Sequence, residues 1–297
     1  MDSAWLSALW VGFIPAAIRS ATPLLWAMLG ETLGQRAGIV NLGVEGQMLV
    51  GAATAFGVSA STGQAWLGLA CGALAGVALS TGHALLCLRY RANQFASGLA
   101  IWMIGFGVSA YLGASLVGQS IDGFANADAE HALTPTILLA GCAWLGSALF
   151  LYGTRPGLSV RAVGESTAAA HAAGIPVARL QTALILVGGA FSGIGGAALS
   201  IDYAQTWAEG MTQGRGLVAV GLVIVARWNP LWALPAALLF GAAEALSLRL
   251  QSAGASVSAH LLHMLPYGAS LIVFTATCLR ANARQSAPAG LQSVLER

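Results

Sequence analysis

The sequence of 297 residues has no lysine: its 13 basic residues are all arginines. A phosphate-cradling G-x-x-x-x-G-K-[ST] loop needs that lysine, so this chain holds no such nucleotide site. Charge is scarce altogether. Charged residues make up 8% of the chain, against about 25% in a soluble domain, too few to cover a water-facing surface. The net charge of +2 is too small to suggest nucleic acid. The 4 cysteines (Cys71, Cys87, Cys142, Cys278) sit singly in apolar runs, with no C-x-x-C pair or metal-ligand spacing, and read as small packing residues. The N-terminal "MDSAWLSALW" lacks the basic segment of a cleavable signal peptide, so the first apolar stretch is expected to remain in the membrane. Neither a low-complexity segment nor an internal repeat is evident.

What the chain has instead is hydrocarbon. Hydrophobic residues reach 57% and the mean hydropathy is +0.75, so lipid is the solvent for most of it. A spanning helix needs about 20 largely apolar residues. The clearest runs are 38–60, 65–88, 95–118, 134–153, 179–200, 230–250 and 264–280. Residues 5–30 carry Pro15, Arg19 and Pro23, which fits one kinked span or a span plus a re-entrant piece. Residues 216–227 are short, as in a half-helix buried by protein. The fold class is therefore all-α, a polytopic transmembrane helical bundle of eight to ten segments.

Arginine placement orients these segments. Arg89, Arg91, Arg155, Arg161, Arg179, Arg227, Arg280, Arg284 and Arg297 mark cytoplasmic connections by the positive-inside rule. Asp122, Asp128, Glu130, Asp202 and Glu209 fall in the alternating ones. Arg19 and Arg249 fit less well, and the orientation of the first hairpin stays open. Small residues recur every four positions: Gly68, Gly72, Gly76 and Ser80; Gly105, Ser109 and Gly113; Gly189, Gly193 and Ala197. Such stripes predict close helix packing.

Polar residues inside these runs need a reason, because an ionised side chain at mid-bilayer costs about 2.5–3.5 kcal/mol on insertion scales. Asn41 and Glu45 are spaced i, i+4 and share a face of a helical 38–60 span, with Gln47 off that face. They fit either an inter-helix lock or the wall of a water-filled path, and the path is preferred because Glu31 and Arg36 lie just upstream. Those two also fit an interfacial ion pair. "RANQFASG" opens the next span with Asn93, Gln94 and Ser97, Asn93 being a reasonable N-cap. "TWAEGMTQGRGLVAVG" brings Glu209 and Arg215 to the half-helix, whose exposed terminus is expected to point at solute. Glu244 is expected to pair with another helix. The histidines of "HLLH", His260 and His263, lack a third metal ligand nearby and read as polar packing residues.

The connection 154–178 is long for a loop and contains "ESTAAAHAA", a short helix former stopped by Gly174 and Pro176. A surface helix there, bracketed by Arg161 and Arg179, has the form of a docking element for a soluble partner. From Ala281 the polar "ANARQSAPAGLQSVLER" reads as a loosely ordered cytoplasmic tail, 281–297, after a membrane domain 1–280.

"GQRAGIVNLGVEGQMLVGA", "ANQFASG", "RAVGESTAAAHAAGI", "EGMTQGRGLVAVGLVIVARWNP" and "FGAAEALSLRLQ" follow in an order that resembles bacterial ABC-importer permeases of the branched-chain amino acid, ribose and nucleoside group. The chain is most similar to the shorter permease subunit of nucleoside importers. The resemblance covers about residues 22–280. It implies a pair of permease chains, commonly different, a cytoplasmic ATPase that binds ATP, and a periplasmic or lipid-anchored solute-binding protein. It implies a bacterial inner-membrane location and no enzymatic activity or cofactor in this chain. Arg161, Gly164, Glu165, Ala169 and Gly174 would form the coupling helix seated in the ATPase. For the translocation path the candidates are Asn41, Glu45, Gln47, Asn93, Gln94, Ser97, Glu209 and Arg215, with Trp102 or Trp207 placed to stack on a base.

Sugars such as ribose and branched-chain amino acids remain alternative solutes. A stand-alone secondary carrier would show paired inverted repeats, and none is evident. An intramembrane enzyme would need a convergent acid–base or metal constellation, for which only the histidine pair and a distant acid are at hand.

Overall fold

The computed structural model describes residues 12–124, 133–253, 258–279 and 287–291. Residues 1–11, Asp128, Glu130, Arg280, Arg284 and Arg297 lie outside them. The described residues form helices α1 (Phe13–Arg36), α2 (Val44–Thr62), α3 (Ala65–Ala84) with a π-helical turn Leu85–Arg89, and α4 (Gln94–Gly113). There follow α5 (Pro135–Gly153), α6 (Arg155–Glu165), α7 (Thr167–Ala172), and α8 (Val177–Ala197) with a π-helical turn Ala198–Tyr203. The last three are α9 (Arg215–Val225), α10 (Pro230–Ser252) and α11 (Ala259–Leu279).

Local chemistry sets the helix starts. Asn93 accepts from the Phe95 and Ala96 amides at 2.9 and 3.1 Å, as its position before α4 predicts. Asn229 caps α10 through the Leu231 amide at 3.0 Å, with Pro230 in the first turn where no amide is missed. Thr154 caps α6 through Gly157 at 3.1 Å, and Ser166 caps α7 through Ala169 at 3.2 Å.

Among the described residues 7 helices are long and apolar enough to cross a membrane. α2, 19 residues long, is not one of them, because Glu45 and Gln47 lower its hydropathy. It needs little lipid contact, since every residue from Val44 to Ala53 is buried by protein. α1 is similarly enclosed from Ser20 to Gln35, with Pro23 inside it. These two helices and α8 form the centre, with α3 and α4 laid on α2, and α10 and then α11 laid beyond α1. The outward faces carry Met103, Tyr111, Leu149, Met264 and Ile272, which suits lipid.

The small-residue stripes pack as predicted. A methyl group on Gly72 would come 2.9 Å from the Gly51 carbonyl and 3.0 Å from the Ala197 methyl. One on Gly51 would come 2.5 Å from the Gly193 carbonyl. Gly51, Gly72 and Gly193 therefore let α2, α3 and α8 meet backbone to backbone. Gly105 likewise admits Gly46, joining α4 to α2.

α1 runs from an end where Gly12 lies beside Arg249 to an end where the Arg36 carbonyl lies against Gly164. That settles the first hairpin relative to the rest. Arg36 shares its end with the connection carrying Arg161 and with Trp228, next to Arg227, whereas Arg19 and Arg249 meet at the opposite end.

Candidate functional site

α9 has 11 residues, about 16 Å at 1.5 Å per residue, half of a hydrocarbon core of about 30 Å. It is the half-helix read from 216–227. Gly214 precedes it in the left-handed region at φ 85, a conformation glycine adopts without penalty. The orphan amides of its first turn do not face solute. They face Glu45, whose carboxylate accepts from Gly214 at 2.7 Å, Gly216 at 2.6 Å and the Thr212 hydroxyl at 2.5 Å. A carboxylate at a helix N-terminus is stabilised by both the amides and the helix dipole. The expectation of a terminus aimed at solute is corrected: α2 supplies an internal anion.

Arg215, the first residue of α9, pairs with Glu244 of α10 and also bonds the Met211 and Thr212 carbonyls at 3.3 and 3.4 Å. Glu244 accepts in turn from Ser20 of α1 at 2.5 Å. The lone acid thus pairs with another helix, as expected. These bonds line one wall of a cavity of about 320 Å³ whose lining includes Tyr203, Glu209, Arg215, Glu244, His263 and Tyr267. A neighbouring cavity of about 490 Å³, lined by Arg19 and Arg249, shares Tyr203 and Leu248 with it. The Tyr267 hydroxyl donates to the Gln213 carbonyl at 2.7 Å, fixing one ring of the wall. His260 and His263 are exposed rather than packed, and His263 reaches the cavity.

The opposite end of α9 is tied to α1. The Trp228 indole donates to Gln35 at 2.5 Å, Gln35 donates to Glu31 at 2.8 Å, and Arg36 donates to the Trp228 carbonyl at 2.5 Å. Glu31 therefore does not pair with Arg36, contrary to the ion-pair reading. It accepts from Gln35 and from the Asn41 amide at 3.0 Å. Asn41 lies in the irregular segment 37–43 and not on α2, so the shared helix face with Glu45 is also corrected. Its Oδ1 accepts from Gly43 at 2.8 Å and shapes the entry to α2. Gln94 accepts from the Val40 amide at 2.8 Å, and Gln181 donates to the Ala37 carbonyl at 3.0 Å. An irregular backbone is tolerated at this depth because side chains complete it.

The remaining path candidates scatter. Ser97 bonds His83 at 3.0 Å between α4 and α3. Asn93 serves as the cap described above. Glu209 is exposed at the cavity. Gln47 is fully buried, and neither of its amide atoms has a partner among the described residues. Trp207 is 3% exposed and packs with Phe56 and Leu199, its ring filling the space over Gly113, so it offers no open face for stacking. Two groups remain: Glu45 beside Arg215 at the start of α9, with Arg215 and Glu209 lining the cavity, and Gln94 beside Asn41 at the segment 37–43.

In the connection 154–178, α7 follows the predicted helix-forming run and stops before Gly174 at φ 80. α6 is additional. It places Arg161, Gly164 and Glu165 on one short helix, with Val160 packed into a cluster with Leu33, Ala37, Leu151 and Leu184. Arg161 lies over the Tyr152 ring, 5.5 Å from its centroid. Ala169 sits in α7. The tail is corrected in part: residues 287–291 pack on this elbow, while 281–286 and 292–297 lie outside the described residues.

Thr212, Gln35, Trp228 and Gln181 escaped the sequence reading. Their partners lie 144 to 193 positions away, so no local pattern exposes them. For α6 the signal was present as Thr154 followed by Pro156, a cap and a first-turn proline.

The family model for the permease component of branched-chain amino acid transport systems matches residues 13–275. TsgC13 of Haloferax volcanii, provisionally assigned as a glucose ABC transporter permease, is 41% identical over 81% of this chain and 78% of its own. The guanosine ABC transporter permease NupQ of Bacillus subtilis is 30% identical over 79% of this chain and 81% of its own. The nucleoside ABC transporter permease NupC of Lactococcus lactis is 28% identical over 74% and 77%. No solved structure matches. With seven apolar helices and a match along nearly its whole membrane bundle, the chain belongs to this family of multi-pass ABC transporter permeases.

Proposed function

We propose that this chain is one permease subunit of an ATP-driven importer in a bacterial inner membrane, and that its solute is a nucleoside. The observation that carries the solute class is the pairing of charge at the cavity. Arg215 is neutralised by Glu244, and Glu45 is engaged by α9. A zwitterionic amino acid needs two complementary free charges, and of the acids and arginines that line this cavity only Glu209 is left without a partner among the described residues. Aromatic rings of Tyr203, Phe240 and Tyr267 line it beside polar Thr206 and Gln213, which suits an uncharged solute with a flat face and hydroxyls. NupQ and NupC support the nucleoside. Glucose is the second reading, favoured by the 41% identity to TsgC13.

In this reading a separate ATPase grips the elbow of α6 and α7 through Arg161, Glu165 and Ala169, and a solute-binding protein docks at the cavity end. A second, different permease chain covers part of the outward apolar faces, and the membrane domain 1–280 ends in a cytoplasmic tail. The ATPase biases one state of the bundle by binding it better. α9 suits the role of a connecting rod, since one end is tied to α1 near the elbow and the other carries Arg215 into the cavity wall.

Proteoliposomes holding the complete complex and its binding protein test the proposal with labelled guanosine and labelled glucose. ATP-dependent guanosine accumulation, resisted by excess glucose, is expected. Uptake of glucose alone would overturn the solute, and uphill transport without the ATPase would overturn the mechanism.

A further inference from the structure

Residues 287–291 meet the elbow at a place that no local sequence pattern marks. The Ala289 amide points at the Glu165 carboxylate, 3.4 Å away. A methyl group on Gly164 would be forced into the Arg36 carbonyl on one side and would come 3.4 Å from the Pro288 ring on the other. One on Gly290 would come 2.7 Å from the Gly164 carbonyl. The end of α6, the end of α1 and the tail therefore converge on two glycines that permit backbone contact. Leu291 follows a tight turn closed by its amide on the Pro288 carbonyl at 3.0 Å, and is 4% exposed. It belongs to the large apolar cluster that holds Val40, Ala226 and Trp228 and extends along α1 and α10 to Phe240, and Ala287 packs against the same cluster.

We infer that residues 287–291 are a tie that clamps the elbow onto the bundle, with Leu291 as a positioning residue acting through Gly164 and Glu165. The contact sits on a bonded route between elbow and cavity: Gly164 touches Arg36, Arg36 bonds the Trp228 carbonyl, and the Trp228 amide bonds Val223 in the last turn of α9 at 3.0 Å. Without the tie, α6 can tilt away from Arg36 when pulled, and its movement is lost before it reaches α9. The tie stays closed through the transport cycle, because it links two parts that must move as one.

The functional arm of the test rests on the importer reading; the structural arm does not. In a background with the 4 native cysteines replaced by alanine, the pair Glu165→Cys and Ala289→Cys is expected to cross-link in membranes containing this chain alone, and neither single cysteine variant is. Failure to cross-link overturns the docking. In the full complex, Leu291→Asp is expected to raise the ATP hydrolysed per solute at least fivefold, with ATPase turnover within twofold of wild type. Leu291→Met should restore the wild-type ratio, which a general packing defect would not predict alongside intact ATPase. If Leu291→Asp does not accumulate in the membrane, truncation after residue 286 must give the same uncoupling. An unchanged ratio overturns the tie. Oxidising the cysteine pair should leave uptake at the level of the same variant kept reduced, and a block relieved by reductant would instead make the segment a latch that has to release. A wild-type complex that fails to couple ATP at all counts against the importer reading and leaves the cross-link result standing.

Discussion

Glu45 and Gly216 come from helices 171 positions apart, and one carboxylate oxygen takes the glycine amide at 2.6 Å. Glu45→Gln keeps the shape of this contact, removes the charge and turns an NH2 group toward donors. The expected loss is about 1–2 kcal/mol, from one charged hydrogen bond and the helix-dipole interaction. Thermal unfolding in detergent should register it as a lower midpoint. An unshifted melting curve would mean that α9 is held by something other than this carboxylate.

Arg215→Met leaves Glu244 charged at 13% side-chain exposure with its partner gone. Breaking a buried pair from one side costs about 3–5 kcal/mol, whereas replacing both partners by apolar groups is often near neutral. The double variant Arg215→Met/Glu244→Leu should therefore recover most of the folded yield lost in the single one. A double-mutant cycle on membrane yield checks this, and additive losses would refute it.

Gly193→Leu should give no folded permease, because the new side chain meets the Gly72 carbonyl and the Ala73 Cα, neither of which can swing away. Gly141→Ala is the control: a methyl there meets nothing within 4 Å. Its stability should change by less than about 0.5 kcal/mol or rise slightly, as alanine favours helix. Expression and size-exclusion profiles of the two variants are the readout.

Trp228→Phe removes the indole N–H and strands the Gln35 side-chain oxygen inside the bundle. Leaving a buried acceptor unmet costs about 1–3 kcal/mol. With α9 acting as the rod, uptake should fall severalfold while ATP hydrolysis by the complex continues. Equal loss of both activities would assign the tryptophan to assembly alone.

How much of this was legible beforehand depended on the range of each interaction. Composition and apolar runs gave the bundle, because lipid as solvent acts on every residue at once. The glycine stripes were legible too, since a four-residue period is a local pattern with one physical use. Asn93 before α4 was readable for the same reason. The roles of Glu45 and Asn41 were not. Sequence spacing assumed an unbroken helix from 38, but Asn41 closes a turn onto Gly43 and hands the helix start to Val44. Glu31 and Arg36 look like a natural pair, but i, i+5 spacing puts them on different faces of α1, and the arginine instead reaches the Trp228 carbonyl, 192 positions later.

The enclosure of α2 by protein also bears on how the polypeptide is made. A segment carrying Glu45 and Gln47 is a poor client for lateral release into lipid by itself, since each polar group must find a partner there or stay in water. The amides that receive Glu45 belong to residues 214 and 216, which leave the ribosome long after α2. During synthesis the Glu45 carboxylate goes without these amides until more than 150 further residues have emerged.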